Sequence, residues 1–275
     1  MHSGTTAAKL SATIITRNEA RDLPACLASL AFCDEIVVVD SGSSDATLAI
    51  AQAHGCRVLV RTDWIGFGAQ KQRALDAATG DWVLSIDADE RIPPALATEI
   101  RAAIERDGAA GYRINRLNSF LGKPLRHGGW YPDRHLRLVR RDAARFTPDL
   151  VHESLVVEGE VGDLAHDMPH LSYRDLDEVL DKQRRYALSG AEQRRATGRK
   201  GGLGKAIQRA AGTFLRLYII KRGFLDGREG LLAAAANTQE IFWRYVATGL
   251  TPPEPESAAG PEGLPPTRSE PEVHP

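Results

Sequence analysis

The sequence predicts an α/β fold whose sheet is mainly parallel and covered by helices on both faces. Two observations lead there. The strand candidates Leu10–Thr16 and Glu35–Asp40 are apolar almost throughout, as strands buried on both faces are, rather than alternating. Between and after them lie segments with apolar residues at helical spacing, such as Leu23, Leu27 and Leu30, and strands alternating with helices build parallel sheets.

Each element follows in turn. Leu10–Thr16 reads as the first strand, 19–30 as a helix, Glu35–Asp40 as the second strand, and 45–54 as a helix with Asp45 as its N-cap. Arg57–Val60 is a short third strand and 69–78 is helical. The break Thr79-Gly80-Asp81 then stops that helix before a fourth strand over 81–86. From 111 to 157, short mixed segments rich in Gly, Pro and aromatics, among them Gly128-Gly129-Trp130-Tyr131-Pro132, suggest hairpins and irregular loops. The pattern from 175 to 248 is helical, interrupted by glycines between Gly198 and Gly204. Residues 251–275, rich in Pro, Glu, Ser and Gly, have almost nothing to bury and read as disordered. The expected division is a flexible N-terminus over 1–9, an α/β domain over 10–172, a helical region over 173–250 and the tail.

The 275 residues, 43% hydrophobic and 26% charged, have the composition of a soluble globular protein. The net charge of −1 hides an uneven distribution. Lys182 to Arg222 carries twelve Lys/Arg against the single acid Glu192, whereas the last 25 residues carry five Glu against Arg268. A basic helical stretch points to an anionic surface as partner, or equally to a solvated helical face. A nucleic-acid partner is not expected. Cys26, Cys33 and Cys56 form no CxxC and no His-rich motif adjoins them, which fits a reducing cytoplasm and argues against structural zinc. The first nine residues lack an apolar signal core, and no stretch approaches the roughly 18 apolar residues of a membrane span, so a cytoplasmic location is expected.

Four polar signals fall where the elements change. The first is Thr16-Arg17-Asn18-Glu19, after the first strand. The second is Asp40-Ser41-Gly42-Ser43-Ser44-Asp45-Ala46-Thr47, a strand end leading into a turn of small residues that lets a ligand approach backbone N–H groups. The third is Asp87-Ala88-Asp89-Glu90, directly after the run Trp82-Val83-Leu84-Ser85-Ile86. In open α/β sheets ligands bind outside the carboxyl ends of strands. Two carboxylates there can hold a hard divalent cation that keeps waters and bridges to phosphates. The competing reading makes Asp89 and Glu90 caps for a helix opened by Pro93-Pro94. The fourth signal is Val151-His152-Glu153-Ser154. A GxGxxG fingerprint is absent, which disfavours a classical dinucleotide fold.

In order and spacing these motifs resemble the family 2 glycosyltransferases, whose nucleotide-sugar-binding domain is called GT-A. A nearer resemblance, to bacterial lipopolysaccharide-core β-1,4-glucosyltransferases of that family, rests on Trp64-Ile65-Gly66-Phe67-Gly68-Ala69-Gln70-Lys71, the Trp82 to Glu90 segment, Val151-His152-Glu153 and Gly223-Phe224-Leu225-Asp226-Gly227. The resemblance implies a GT-A catalytic domain over 10–172 followed by a helical extension. It implies a UDP-sugar donor, a Mg²⁺ or Mn²⁺ cofactor and an inverting single displacement.

Carried over residue by residue, Asp40 would read the base, with a turn cap as the plain alternative. Thr16, Arg17, Glu19, Ser41, Gly42 and Asp45 would line the nucleotide pocket. Asp87 and Ala88 would lie near the ribose, and Gln70 and Lys71 would face the sugar or diphosphate, although Gln72 stands where many relatives carry Asn. Asp89 would ligate the metal together with Asp87, and His152 would complete the shell. Glu153 is the first candidate for the base that takes the acceptor proton, and Asp133 the second. His166 and His170 read as structural.

In the helical region, Leu203, Ile207, Ala210, Phe214 and Leu217 recur at i+3 or i+4, with Lys205, Arg209 and Arg216 off the stripe. Such a helix either rests on an anionic membrane surface, packs on the domain, or pairs two subunits. The expected acceptor is a lipopolysaccharide-core or related glycolipid sugar, with another polysaccharide or lipid-linked acceptor as the alternative. Two further function classes compete. An aspartyl-phosphate phosphatase would want Thr or Val where Arg91 stands, and a catalytically dead binding module would not need the full acidic set.

Overall fold

A computed structural model describes residues 7–106, 108–147 and 154–250. The expected tail over 251–275, most of the N-terminal segment, and the candidates His152 and Glu153 lie outside the described residues. The strands, in chain order, are β1 (Leu10–Thr16), β2 (Glu35–Asp40), β3 (Arg57–Val60), β4 (Trp82–Ser85), β5 (Gly111–Phe120), β6 (Lys123–Pro124), β7 (Arg134–Arg140), β8 (Ala144–Phe146), β9 (Leu155–Val157) and β10 (Val161–Tyr173). The helices are α1 (Leu23–Ser29), α2 (Thr47–Ala53), α3 (Phe67–Ala77), α4 (Pro94–Ile104), α5 (Leu176–Ala196), α6 (Leu203–Phe214) and α7 (Gly227–Gly249).

The main sheet runs β10-β5-β7-β4-β1-β2-β3, with β6 paired to β5. Strands β1 to β4 are mutually parallel, β7 runs against both β4 and β5, and β10 is parallel to β5. The carboxyl ends of β1, β2, β4, β5 and β10 therefore share one edge with the start of β7. Alternation along β1 and β4 divides the core. Leu10, Ala12, Ile14, Trp82, Leu84 and Ile86 meet Leu23 and Leu27 of α1 and Leu96 and Ile100 of α4 on one face. Val83 and Val139 meet Leu75 and Ala78 at the α3 side on the other, which the β8–β9 hairpin completes. Burying a side chain of this size stabilises by about 1.5–3 kcal/mol, so the sheet edge is held from both sides.

The stretch from 111 to 157 is more regular than its composition suggests. It holds the ten-residue β5 and the seven-residue β7, both built into the main sheet. The thirteen-residue β10 carries alternating polar positions because it closes the sheet. In the helical region, Asp175 caps α5 by accepting from Glu178 N at 2.9 Å. Phe120, Leu125, Val179 and Ala233 join the end of β5 to α5 and α7.

The Asp226 side chain does not cap α7. The carboxylate, 6% exposed, instead accepts from the backbone N–H groups of Arg126 and His127 (2.8 Å for the latter) and faces His127 Nδ1 at 2.9 Å. Two backbone donors of a partly buried loop are met by this carboxylate. Gly230 lets α7 approach that turn, since a Cβ there would lie 2.0 Å from Gly223 O.

Candidate active site

The turn after β1 and the turn after β2 are knitted together. Asn18 sits at φ 58°, and its Oδ1 accepts from Ser44 N while its own N–H donates to Ser43 Oγ, both at 2.8 Å. Asp40 is fully buried at the end of β2. Its Oδ1 accepts from Gly42 N and Ser43 N, and its Oδ2 from Thr16 Oγ1 and Ser43 Oγ. Burial alone would raise this carboxyl, but the Ser43, Thr16 and Gly42 hydrogen bonds outweigh it and hold the group below the usual range. All four acceptor positions of the carboxylate are thus taken by the turn, the alternative role weighed for it above. Gly42, at φ +91°, makes the turn possible.

Asp45 accepts from Thr47 N at 3.0 Å and from Ala20 N at 3.1 Å, so it closes the start of α2 and ties it to the first turn. The helix itself begins at Thr47, two residues beyond the expected boundary, and its N-cap position is Ala46 rather than the expected Asp45. Gln70 is also fully buried. Its Nε2 donates to Ser41 Oγ and Arg61 O, each at 2.9 Å, and its Oε1 accepts from Arg73. With both amide hydrogens taken, Gln70 braces the turn at Ser41 from a buried position. Gln72, the departure from relatives, holds β8 by accepting from Phe146 N at 2.7 Å.

Asp87-Ala88-Asp89-Glu90 forms a tight turn beyond β4. Glu90 N donates to Asp87 O at 3.0 Å while Asp87 N donates to Glu90 Oε2 at 2.8 Å. Neither Asp89 nor Glu90 caps α4, whose N-cap is Pro93. Asp87 Oδ1 faces Lys71 Nζ at 3.2 Å, and its Oδ2 accepts from Arg137 Nη2 at 2.6 Å. Burial opposes its ionisation, but Arg137 and Lys71 hold the Asp87 carboxyl well below the ordinary value. The same Arg137 nitrogen reaches Glu90 Oε1 at 2.5 Å; Glu90 is completely buried, and burial pushes its carboxyl up.

Asp89 Oδ2 lies 3.2 Å from His170 Nε2 on β10. Burial works against the Asp89 carboxylate, and the His170 contact offsets it, keeping the group below its usual range. Asn118 Oδ1, at 2.6 Å, and Ser172 Oγ, at 2.9 Å, bind the other imidazole nitrogen. Leu171 N donates to Asp89 O at 2.9 Å, so β10 fixes both backbone and side chain of the acidic turn.

Glu19 shows what surrounds Asp89 on the nucleotide side. Burial, followed by the charges of Asp89 and Asp22, pushes its carboxyl up to about 7. Crowded carboxylates of this kind favour a cation between them. Among the described residues no group of three or more His, Cys, Asp or Glu is arranged to hold a metal ion. The donors still fit a hard divalent cation of the kind that takes one or two carboxylates and completes its shell with water and phosphate oxygens. Asp89 offers Oδ1, for which no protein donor is seen among the described residues, whereas both Asp87 oxygens are paired with cationic side chains.

Asp133 stands on the opposite flank. It accepts from Asn118 Nδ2 at 2.9 Å and Arg116 Nε at 3.0 Å, and meets His135 Nε2 at 2.8 Å. Burial would raise its carboxyl; the His135, Asn118 and Arg116 contacts prevail and hold it far below the range of an effective base at neutral pH. Arg17 is exposed beside the first turn, and Ala88 is buried, its carbonyl accepting from Arg91 at 2.8 Å.

The structure thus brings Thr16, Glu19, Asp40, Ser41, Gly42, Asp45, Lys71, Asp87, Ala88 and Asp89 to one sheet edge. It adds Asn18, His170, Arg137 and Glu90, which the sequence did not single out as site residues. Asn18 was legible within the first motif. The other three depend on contacts between residues 47 to 81 positions apart.

Residues 11–150 match the family model "Glycosyl transferase family 2". The lipopolysaccharide core biosynthesis glycosyltransferase LpsC of Rhizobium meliloti (strain 1021) is 35% identical over 254 residues, 86% of this chain and 93% of that protein. An uncharacterized glycosyltransferase of Rickettsia felis is 29% identical, covering 82% of this chain and 83% of its own. A solved structure, glucosyl-3-phosphoglycerate synthase from Mycobacterium tuberculosis in complex with Mn²⁺, uridine-diphosphate and phosphoglyceric acid, covers 65% of this chain and 76% of that chain, with TM-score 0.45 and 21% identity. A mainly parallel sheet with the acidic turn beyond its fourth strand, a family match over half the sequence and a relative aligned almost end to end lead to one conclusion: the chain belongs to glycosyl transferase family 2 and is a transferase by class.

Proposed function

We propose that the protein moves a hexose, glucose from UDP-glucose, onto a sugar of lipopolysaccharide core or a related glycolipid, with inversion at the anomeric carbon. The observation that carries this reading is the convergence of the two knitted turns after β1 and β2 with the Asp87-Ala88-Asp89 turn at one sheet edge. The similarity to LpsC supports the core acceptor, and the nearer motif resemblance supports glucose.

In this reading the Thr16 to Glu19 and Asp40 to Asp45 turns hold the nucleoside. Asp89, with Asp87 and His152 as further candidates, holds a Mg²⁺ or Mn²⁺ ion. When bound, that ion supplies Lewis-acid stabilisation of the charge developing on the departing diphosphate. Lys71 and Arg137 hold Asp87 ionised and in place. His170 keeps Asp89 ionised and aimed. Glu153 accepts the proton of the attacking acceptor hydroxyl. Its neighbour Ser154 lines the cavity beside Asp87. Asp133, held ionised by three partners, positions Arg116, Asn118 and His135.

No described helix is long and apolar enough to cross a membrane. The stripe of α6 supports a different relation to lipid, at the inner face of the cytoplasmic membrane. Leu203 and Ile207 are 62% and 56% exposed, and Leu215, Ile219 and Ile220 continue an uncovered apolar surface among Lys205, Arg216 and Lys221. Ala206 and Ala210 face the protein, and Phe214 and Leu217 of the stripe are half-buried. A surface both apolar and basic suits an anionic bilayer, where a glycolipid acceptor resides.

The test is transfer by the purified chain. UDP-glucose and other nucleotide sugars are offered with Mg²⁺ or Mn²⁺ and core-truncated lipopolysaccharide, and the glucosylated product is sought by mass spectrometry. Transfer only from another nucleotide sugar would replace the donor, and no cation dependence would remove the metal.

A further inference from the structure

A cavity of about 440 Å³ opens between the β4–β7 surface and the β8–β9 hairpin, with Asp87 in its wall. We infer that it takes an anionic group, a phosphate or carboxylate, carried by the acceptor. The inference rests on the glycosyl-transfer reading and names the acceptor class for the same site.

Charge is the first argument. Lys71, Arg116, Arg134 and Arg137 line the cavity together with His135, and Asp87 is the one acid among its described lining residues. Glu90 and Asp133 balance part of this charge from outside the lining, through Arg137 and Arg116. Arg134 is the least committed of the four: its side chain is 58% exposed and its ion pair with Asp163 spans 3.7 Å. Several guanidinium groups lining one cavity suit carboxylate or phosphate oxygens.

Arg137 supplies an independent observation. Its side chain is 7% exposed, and Nη2 serves both Asp87 and Glu90. Its Nε–H, also buried, has no hydrogen-bond partner among the described residues. Arg137 is thus held at the cavity wall through Nη2, by Asp87 and Glu90.

Position separates this cavity from the donor. The nucleotide turns follow β1 and β2, on one side of β4 in the sheet, whereas the cavity extends from β4 toward β7 and the hairpin. Ser154 in its wall is the neighbour of Glu153, the candidate base. An acceptor anchored by its anionic group here would lie beside Asp87, next to the donor turns.

The test measures binding of glucose 6-phosphate, and of glucose as the neutral control, to the full chain saturated with UDP and Mg²⁺ by isothermal titration. Glucose 6-phosphate should bind the UDP-loaded protein and glucose should not. Arg134→Gln should weaken that binding about tenfold, the scale of one lost charge-assisted hydrogen bond, with Arg134→Lys recovering part of it and UDP affinity unchanged in both. Displacement of glucose 6-phosphate by UDP would assign the cavity to the donor diphosphate and overturn the inference. Equal binding of the two sugars, or an unaltered affinity in Arg134→Gln, would overturn it as well. A chain that binds UDP but no glucose 6-phosphate refutes this inference alone; one that binds no UDP refutes the UDP-sugar donor reading beneath it.

Discussion

His170 Nε2 lies 3.2 Å from Asp89 Oδ2, although 81 residues separate them in sequence. The contact ties the strand at one end of the sheet to the acidic turn beyond β4, and Asn118 fixes the other side of the imidazole. Asp89 is therefore aimed by the fold rather than by its own loop. His170→Ala should leave UDP-glucose binding detectable but weaken its dependence on the cation, raising the Mg²⁺ or Mn²⁺ concentration needed for half-maximal turnover by roughly 10- to 100-fold, as for residues that orient metal ligands. Unaltered cation dependence would make His170 a packing residue.

The two candidate bases separate by kinetics. Glu153→Gln should leave UDP binding intact and cut turnover by about 100-fold or more. Asp133→Asn, which loosens the Arg116, Asn118 and His135 contacts, should affect acceptor KM and thermal stability more than kcat. The reverse pattern would transfer the proton to Asp133.

Glu19 makes a pH prediction with a definite sign. Its carboxyl, ordinarily at 4.5, is pushed up to about 7 in the folded chain. The folded state then holds the proton more tightly than the unfolded one. The contribution to stability is present below about 4.5 and is lost as pH rises toward 7. Glu19→Gln should flatten the melting temperature of the cation-free protein across that window and raise it at pH 8. Parallel melting curves for the two proteins would show that Glu19 is not crowded by Asp89 and Asp22.

Asp226 holds the loop before β7 onto the helical region through two backbone N–H groups and His127. Asp226→Ala should cost about 2–4 kcal/mol, the effect of leaving such buried donors unmet. Differential scanning calorimetry should show a melting temperature lower by roughly 5–10 °C.

Lys205→Glu combined with Arg216→Glu should weaken sedimentation with phosphatidylglycerol vesicles by about tenfold or more, since each basic residue near an anionic surface contributes on the order of 1 kcal/mol. Binding to neutral phosphatidylcholine vesicles should change little. If the double variant binds both vesicle types as the native chain does, the exposed face of α6 serves another contact.

Much of this was legible in the sequence. Strands β1 to β4 announced themselves because parallel strands buried on both faces are locally apolar, and the turns holding Asp40 and Asp87 followed from small or acidic residues at strand ends. β10 was not legible, because a strand closing the sheet carries polar residues on its outer side and pairs with β5 across 50 residues. Arg137 and Glu90 were missed for a related reason: charged residues are ordinarily exposed, and only the fold shows that these two are buried together. Asp40 and Gln70 were read as ligand contacts because polar residues near a strand end suggest a ligand. What only the fold shows is that both brace the turns there through their own hydrogen bonds.

The central claim is that Asp89 holds a cation on which donor binding depends. Isothermal titration of UDP into the native chain and into Asp89→Ala, each with and without Mn²⁺, tests it most directly. Mn²⁺ should tighten UDP binding to the native chain by tenfold or more, and Asp89→Ala should abolish that gain along with transfer. An Asp89→Ala protein that keeps the Mn²⁺-dependent gain and full turnover would contradict the account.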